Sequence, residues 1–437
     1  MSNASTPDQA ISKYKTKLNP GNQRAVITGM SAITPIGNTL QDTWQSLIAG
    51  RSGAGPITML DASNYPCQVS AELKGFDPEQ YIPRKKARHL AFASQLAVVA
   101  AIQAIDHAAL DLEQVDRDNV GVILGTSGGS VIEETEIACK QLMGGNSHRL
   151  SPFQVLRLWP NMPAYFVAEF FKLRGFNSTV CTACASATQA IGDAARMIKR
   201  GEAEVILAGG SESMVSETAL AGFSAMRAIS TKYNHEPHRA MRPFDADRDG
   251  FIGANGSAFL VLESLDHAVS RGAVIYAEVL GAGVSNDAFH MIAPDPDGGG
   301  AALAMQRALD DAGIGPHTVD YINAHGASTP LGDAAETNAI KRVFGERAYQ
   351  IPISSSKSML GHMMGATGAV EAVACVMSIR NRIVHPTINY ETPDPQCDLD
   401  YVPNQARQVD VKVAMSNSFG LGGQNAVLVL GAINPSL

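Results

Sequence analysis

Short runs that are apolar throughout alternate along this chain with longer segments of helical periodicity. Arg24–Met30, Val120–Leu124, Glu204–Gly210 and Ala258–Glu263 read as strands, with helices over Leu40–Ile48 and Leu90–Ala109. The second half repeats the order. Tyr276–Gly281, Val319–His325, Ile351–Ser356, Val413–Ser416 and Ala426–Leu430 read as strands, and Ala301–Ala312, Gly332–Phe344 and Ala366–Arg380 as helices. Strands with no polar alternation need cover on both faces, so the pattern predicts an α/β sheet between layers of helices.

The two halves also end alike. Phe251–Leu262 aligns without gaps on Phe419–Leu430, with Phe, Ala, Leu, Val and Leu coinciding. Either one α/β unit is duplicated, or two glycine-rich, Val/Leu-rich strand ends agree by chance. The duplication reading places a seam near Arg271-Gly272. It divides the chain into a polar extension over residues 1–23, an N-terminal half over 24–271 and a C-terminal half over 272–437.

Composition narrows the function classes. The chain is 45% apolar and 17% charged over 437 residues, which fits a globular protein with a large core. Its net charge of −8 gives no electrostatic footprint for nucleic acid. The longest apolar stretch, Leu90–Ile105, is broken by Ser94, Gln95 and Gln103, so no membrane span is expected. The first 23 residues carry no secretory pattern. Six cysteines without regular spacing point to a reducing compartment, here the cytoplasm.

The candidate chemistry starts at Thr179-Val-Cys-Thr-Ala-Cys184-Ala-Ser, which reads as a strand, a sharp turn and the start of a helix. Backbone N–H groups and the helix dipole there favour a thiolate at Cys184, and its small neighbours leave room for an acyl group. The competing reading is a buried structural cysteine. Cys181-x-x-Cys184 also admits a redox dithiol. No second Cys or Cys/His pair lies nearby in sequence, so no metal is expected there.

Two histidines sit in similar surroundings. His325 ends a strand and enters the small-residue loop Gly326–Gly332. His362 lies between Gly361 and Gly365, ahead of another helix. Each on its own reads as structural or as catalytic; what links them with Cys184 is a shared place at a strand end before a helix. Lys357 and Glu371 flank the His362 loop, either as an orienting ion pair or as unrelated charges.

At these positions the chain resembles the β-ketoacyl-acyl-carrier-protein synthases of the elongating, two-histidine type, within the thiolase-fold superfamily. The resemblance runs from about Arg24 to the C-terminus. It rests on Thr182-Ala-Cys184-Ala-Ser, Ala208-Gly-Gly-Ser-Glu212, Arg242-Pro-Phe-Asp245-x-x-Arg248-Asp-Gly-Phe251, Asn323-Ala-His325-Gly-x-Ser-Thr329-Pro, Ser356-Lys357-x-x-x-Gly-His362-x-x-Gly-Ala and Asn417-Ser-Phe419-Gly-x-Gly-Gly423. It implies a five-layer αβαβα fold of two duplicated halves, a homodimer, and no cofactor beyond the phosphopantetheine of acyl carrier protein.

The resemblance further implies a decarboxylative Claisen condensation giving 3-oxoacyl-carrier protein, in fatty-acid or related polyketide chain elongation. Cys184 would carry the acyl group, and His325 with His362 would stabilise the enolate left by malonyl decarboxylation. Lys357 and Glu371 would support the site, and backbone N–H groups of Cys184 and Phe419 would form the oxyanion hole.

Three positions depart from the family pattern. Ala327 stands where a threonine usually meets the pantetheine arm, leaving Thr329. Leu421 replaces a gating phenylalanine, and Ala254-Asn255 replaces a Gly-Glu pair. The run Arg84-Lys85-Lys86-x-Arg88 is the candidate docking patch for acidic carrier protein, against the plainer reading of a solvated charge run. Two other functions stay open, a non-decarboxylative thiolase-like acyltransferase and a catalytically silent partner subunit. The first is opposed by His362 and the cysteine-free loop 417–423, the second by Cys184 itself.

Overall fold

In a computed structural model, residues 23–433 are described; the expected N-terminal extension lies outside them, apart from Gln23. The main sheet has ten strands: β1 (Ala25–Met30), β2 (Val120–Gly125), β3 (Asn177–Val180), β4 (Val205–Glu212), β5 (Gly256–Ser264), β6 (Ala277–Asn286), β7 (Tyr321–Asn323), β8 (Ile353–Ser354), β9 (Val413–Gly420) and β10 (Gln424–Gly431).

Their order is β3-β2-β4-β5-β1-β6-β10-β9-β7-β8. Reading outward from the centre, one half runs β1-β5-β4-β2-β3 and the other β6-β10-β9-β7-β8. Both have two antiparallel neighbours followed by two parallel ones. The halves therefore share one topology, and they join where Val26 and Ile27 pair with Glu278 and Ala277. The aligned segments 251–262 and 419–430 end in β5 and β10, the same strand of each half. Arg271-Gly272 lies in the turn between the last helix of the first half and β6.

Helices make the other layers. α1 (Phe92–Ala108) packs on β1, β4 and β5; α2 (Val131–Met143) and α3 (Met162–Phe171) follow it in the chain, α3 against α1. α4 (Ser186–Lys199) and α7 (Thr367–Asn381) pack on each other and touch strands of both halves, which places them in the middle. α5 (Gly299–Ala312) covers β6 and β10, and α6 (Pro330–Phe344) packs on α5. Among the described residues the three large apolar cores lie around α4 and α7, under α1, and under α5 and α6, with a small fourth cluster at Cys67, Leu220 and Ile229. With the two halves of the sheet as separate layers, the order helix, half-sheet, helix pair, half-sheet, helix is the five-layer α/β arrangement that the resemblance implied.

Two predicted strands are shorter than expected. Val319–His325 contracts to β7: the Ala324 N–H makes the last bond to β8, to the Ser354 carbonyl at 2.9 Å, and beyond it the Glu336 carboxylate takes the His325 and Gly326 N–H groups. Ile351–Ser356 contracts to β8, since Pro352 cannot donate and Ser356 turns into a short helix at Lys357. The helices α2 and α3 were not anticipated. Ile132, Ile137 and Leu142 of α2 are exposed, so it has no inward apolar stripe to read.

Candidate active site

The reactive groups follow the outer parallel strands of each half, Cys184 after β3, His325 after β7 and His362 after β8. Cys184 follows β3 in a 3₁₀ turn, Ala183–Ala185, that leads into α4. His362 follows β8, just before the matching turn Met364–Ala366 that leads into α7. Both turns begin on a non-glycine residue with positive φ, Ala183 at 49° and Met364 at 42°. The shared strain is a mark of the duplication and sets both turns tightly over their helices.

Gly361 has φ +69°, and Gly365 is so close to the loop after β2 that a Cβ would sit 2.2 Å from the Ser127 nitrogen. Glu212 fastens that contact. Its carboxylate accepts from the Ser127 N–H at 2.6 Å, the Ser127 hydroxyl at 2.7 Å and the Gly365 N–H at 3.1 Å. Burial pushes Glu212 up to about 7 against those donors.

The reactive groups meet in this space. His362 Nε2 lies 3.1 Å from Cys184 Sγ, across 178 residues of chain, and His362 Nδ1 lies 3.0 Å from Thr367 Oγ1. The His325 and His362 rings stand edge to face, with centroids 5.5 Å apart. His325 Nδ1 is buried without a hydrogen-bond partner among the described residues, and the backbone of His325 is clamped instead. Glu336 Oε1 accepts the His325 N–H at 2.9 Å, and Lys357 Nζ donates to the His325 carbonyl at 2.6 Å. Lys357 also forms a fully buried ion pair with Glu371. The orienting-pair reading of those two residues is the one the geometry supports.

The electrostatics differ from the sequence expectation at Cys184. Burial pushes its thiol up to about 11, while Lys357 and the backbone N–H groups of Leu421 and Cys184 pull the other way. Removal from water outweighs the dipole at a residue only 5% exposed, so the resting sulfur is a thiol. Burial, reinforced by the Lys357 charge, also drives both histidines well below their ordinary value. The site therefore rests as one neutral thiol beside two neutral imidazoles.

Besides its own N–H, the backbone N–H that opposes the rise of the Cys184 thiol belongs to Leu421, while the resemblance pointed to Phe419 for the oxyanion hole. Phe419 is held in the ladder opposite Asn425, while Leu421 sits in the turn beyond it. The Phe419 ring packs against His325, with centroids 5.7 Å apart.

Ala327, Thr329 and Leu421 all line a cavity of about 400 Å³ that contains Cys184, His325 and His362. Thr329 Oγ1 is occupied as a helix cap on the Gly332 N–H, and Ala327 is buried. Asn255, at the third departure, accepts from the Met214 and Val215 N–H groups and is structural.

The basic run lies apart from the cavity. Arg84 pairs with Glu79 at 3.4 Å, and Lys86 pairs with Glu169 over the Phe170 ring. Lys85 and Arg88 are exposed. Cys181 is exposed and Cys184 buried, both as free thiols.

Sequence reading missed Glu336, Thr367 and Arg227, which lines the cavity beside Met226. Glu336 and Thr367 occur at helical positions without motif character, and only the fold brings them to the histidines.

Residues 22–268 match the family described as "Beta-ketoacyl synthase, N-terminal domain", and 276–391 match its "C-terminal domain". The chain is 47% identical over 408 residues to a 3-oxoacyl-[acyl-carrier-protein] synthase 2 of Staphylococcus aureus (strain COL), covering 93% of this chain and 98% of that protein. A β-ketoacyl synthase from Burkholderia phymatum superposes with TM-score 0.88 at 38% identity, over 94% of this chain and 100% of the other. A type II polyketide ketosynthase solved with its acyl-carrier protein gives TM-score 0.86 at 34% identity, over 94% and 100%. Among the described residues no helix is long and apolar enough to cross a membrane. With the thiolase-type fold, the Cys184–His325–His362 cluster and these likenesses together, the chain belongs to the β-ketoacyl synthase family and is a condensing acyltransferase of the 3-oxoacyl-[acyl-carrier-protein] synthase kind.

Proposed function

We propose that Cys184 Sγ attacks an acyl thioester presented on acyl carrier protein, forming acyl-cysteine and releasing the carrier thiol, which takes up the cysteine proton. Malonyl-carrier protein then enters and loses CO₂. The resulting enolate carbon attacks the acyl-cysteine, giving 3-oxoacyl-carrier protein and the Cys184 thiolate, which takes a proton from solvent to restore the thiol. The observation that carries this reading is the pair of neutral imidazoles beside the thiol, His362 Nε2 at 3.1 Å from Cys184 Sγ and His325 with its Nδ1 unpartnered.

A neutral imidazole N–H is suited to a thioester oxygen as enolate charge builds up on it. The Cys184 and Leu421 N–H groups serve the tetrahedral intermediate on the acyl-cysteine, where one such donor is worth about 3–4 kcal/mol. Thioester exchange and decarboxylation then need no cofactor beyond the carrier's phosphopantetheine. Six free cysteines suit a cytoplasmic enzyme.

A second copy of the chain is the proposed partner. β3 ends the sheet with one edge unpaired. Phe176, just ahead of it in the chain, is exposed, and a homodimer would cover this edge. Leu421 in place of a phenylalanine leaves a smaller side chain at the cavity turn, which favours a broad acyl range.

Intact-mass measurement after mixing with acyl-carrier protein, followed by CO₂ release on adding malonyl-carrier protein, tests the reaction. Acylation without CO₂ release would favour a thiolase-like transferase, and absence of acylation a silent subunit.

A further inference from the structure

We propose that Cys184, His325 and His362 also form an exchangeable Zn²⁺ site, through which the metal blocks acylation of the unloaded enzyme. The inhibitory part rests on the reaction centre proposed above; the binding part rests on geometry alone.

One ligand atom from each of the three residues lies within 4.8 Å of the other two. Around tetrahedral Zn²⁺, with Zn–S about 2.3 Å and Zn–N about 2.0–2.1 Å, neighbouring ligand atoms stand roughly 3.3–3.6 Å apart. Cys184 Sγ and His362 Nε2 are already at 3.1 Å. The widest pair needs to close by roughly 1 Å, which small side-chain rotations provide. The sequence offered no such site, because the ligands come from three separate strand exits.

The donor set and its surroundings fit the metal. One thiolate with two imidazoles suits Zn²⁺ over Mg²⁺ or Ca²⁺, and three protein ligands leave a fourth position for water, for which the cavity has room. Thr367 Oγ1 engages His362 Nδ1, leaving Nε2 toward the sulfur, the outer contact that orients a ligating histidine. His325 is about nine-tenths buried, with its Nδ1 unpartnered. The Lys357 charge opposes a dication, but Glu371 pairs with it. On binding, the Cys184 S–H bond breaks, its proton goes to solvent and an S–Zn bond forms. In the acyl-enzyme the sulfur is bonded to the acyl carbon and no thiolate ligand is left, so the loaded enzyme is protected.

Co²⁺ titration of full-length, chelator-stripped protein tests binding directly. A sulfur-to-cobalt charge-transfer band at one equivalent is expected. It should persist in Cys139→Ser and Cys181→Ser, which remove the exposed thiols, and vanish in Cys184→Ala. It should also vanish in wild-type protein acylated beforehand, a control in which the fold is intact. His325→Ala should weaken Co²⁺ affinity at least tenfold. Absence of the band in the wild type, or its survival in acylated protein, overturns the site. In buffered Zn²⁺ the rate of acyl loading should fall at least tenfold and return with EDTA, whereas CO₂ release by pre-acylated enzyme should not change; unchanged loading overturns the inhibition. If metal-free protein does not load at all, the condensing reaction fails, and the Co²⁺ spectrum still decides the metal site.

Discussion

Glu336 accepts the backbone N–H groups of His325 and Gly326 at 2.9 and 2.8 Å, so one buried carboxylate fixes the strand exit that carries the His325 ring. Glu336→Ala leaves two buried N–H groups without partners, each costing about 1–3 kcal/mol. The His325 ring then loses its fixed place. The expected outcome is a condensation rate roughly ten- to a hundredfold lower with acyl loading nearly intact, because His362, not His325, faces the sulfur. Separate assays of loading by mass and of CO₂ release check the split; equal loss in both would remove the positioning role.

The two half-reactions should also separate by residue. Cys184→Ala should give no acyl adduct. His325→Ala should load and then fail to release CO₂, with condensation down at least a hundredfold, the order of one oxyanion donor. His362→Ala should slow loading as well, since His362 Nε2 is the ring atom beside the thiol. A His325→Ala variant that condenses at close to the parent rate would refute its assignment.

Much of this architecture was legible in the chain. Apolar strands with no alternation gave the covered sheet, and the match of 251–262 with 419–430 located the same strand in both halves. The three reactive residues were legible because each sits among small residues at a strand end. What could not be read is whatever depends on through-space partners. The dipole argument at Cys184 ran one way until burial reversed it. That the Leu421 N–H, in the turn after the ladder residue Phe419, acts on the Cys184 thiol was not legible either. Glu336 and Thr367 carry no motif at all. The basic run read as one patch, yet Lys86 is held by Glu169.

That division within the basic run changes what charge reversal should do. Lys85→Glu and Arg88→Glu alter exposed cations and should raise KM for carrier-borne substrates several-fold, while leaving small thioester donors unaffected. Lys86→Glu removes the partner of a half-exposed pair and should cost at most about 1 kcal/mol of stability. Equal KM changes for both kinds of donor would dismiss the docking role.

Lys357 and Glu371 form an ion pair with no solvent exposure, so breaking it from one side strands a buried charge. Glu371→Leu or Lys357→Met alone should destabilise by about 3–5 kcal/mol. The double variant should recover most of that loss in urea unfolding, because two apolar groups leave no charge behind. It should stay inactive, since the bond from Lys357 to the His325 carbonyl is gone. Recovery of both stability and condensation would show the pair to be purely structural.

Two carboxylates should shape stability against pH in opposite senses. Burial alone would raise Glu263, but Arg271, His267 and Thr28 outweigh it and hold the group at about 2. Its unfolded value is near the ordinary 4.5, so its contribution is present above that pH and is lost as pH falls toward 2. Glu212, pushed up to about 7, binds its proton more tightly in the folded chain, so stability declines as pH rises from about 4.5 to 7. Each shift corresponds to roughly 3 kcal/mol at about 1.4 kcal/mol per pKa unit. Urea midpoints measured from pH 3 to 8 should show Glu263→Gln flattening the acid limb and Glu212→Gln flattening the fall toward neutrality. An unchanged acid limb in Glu263→Gln would mean that the three partners do not hold that carboxylate down.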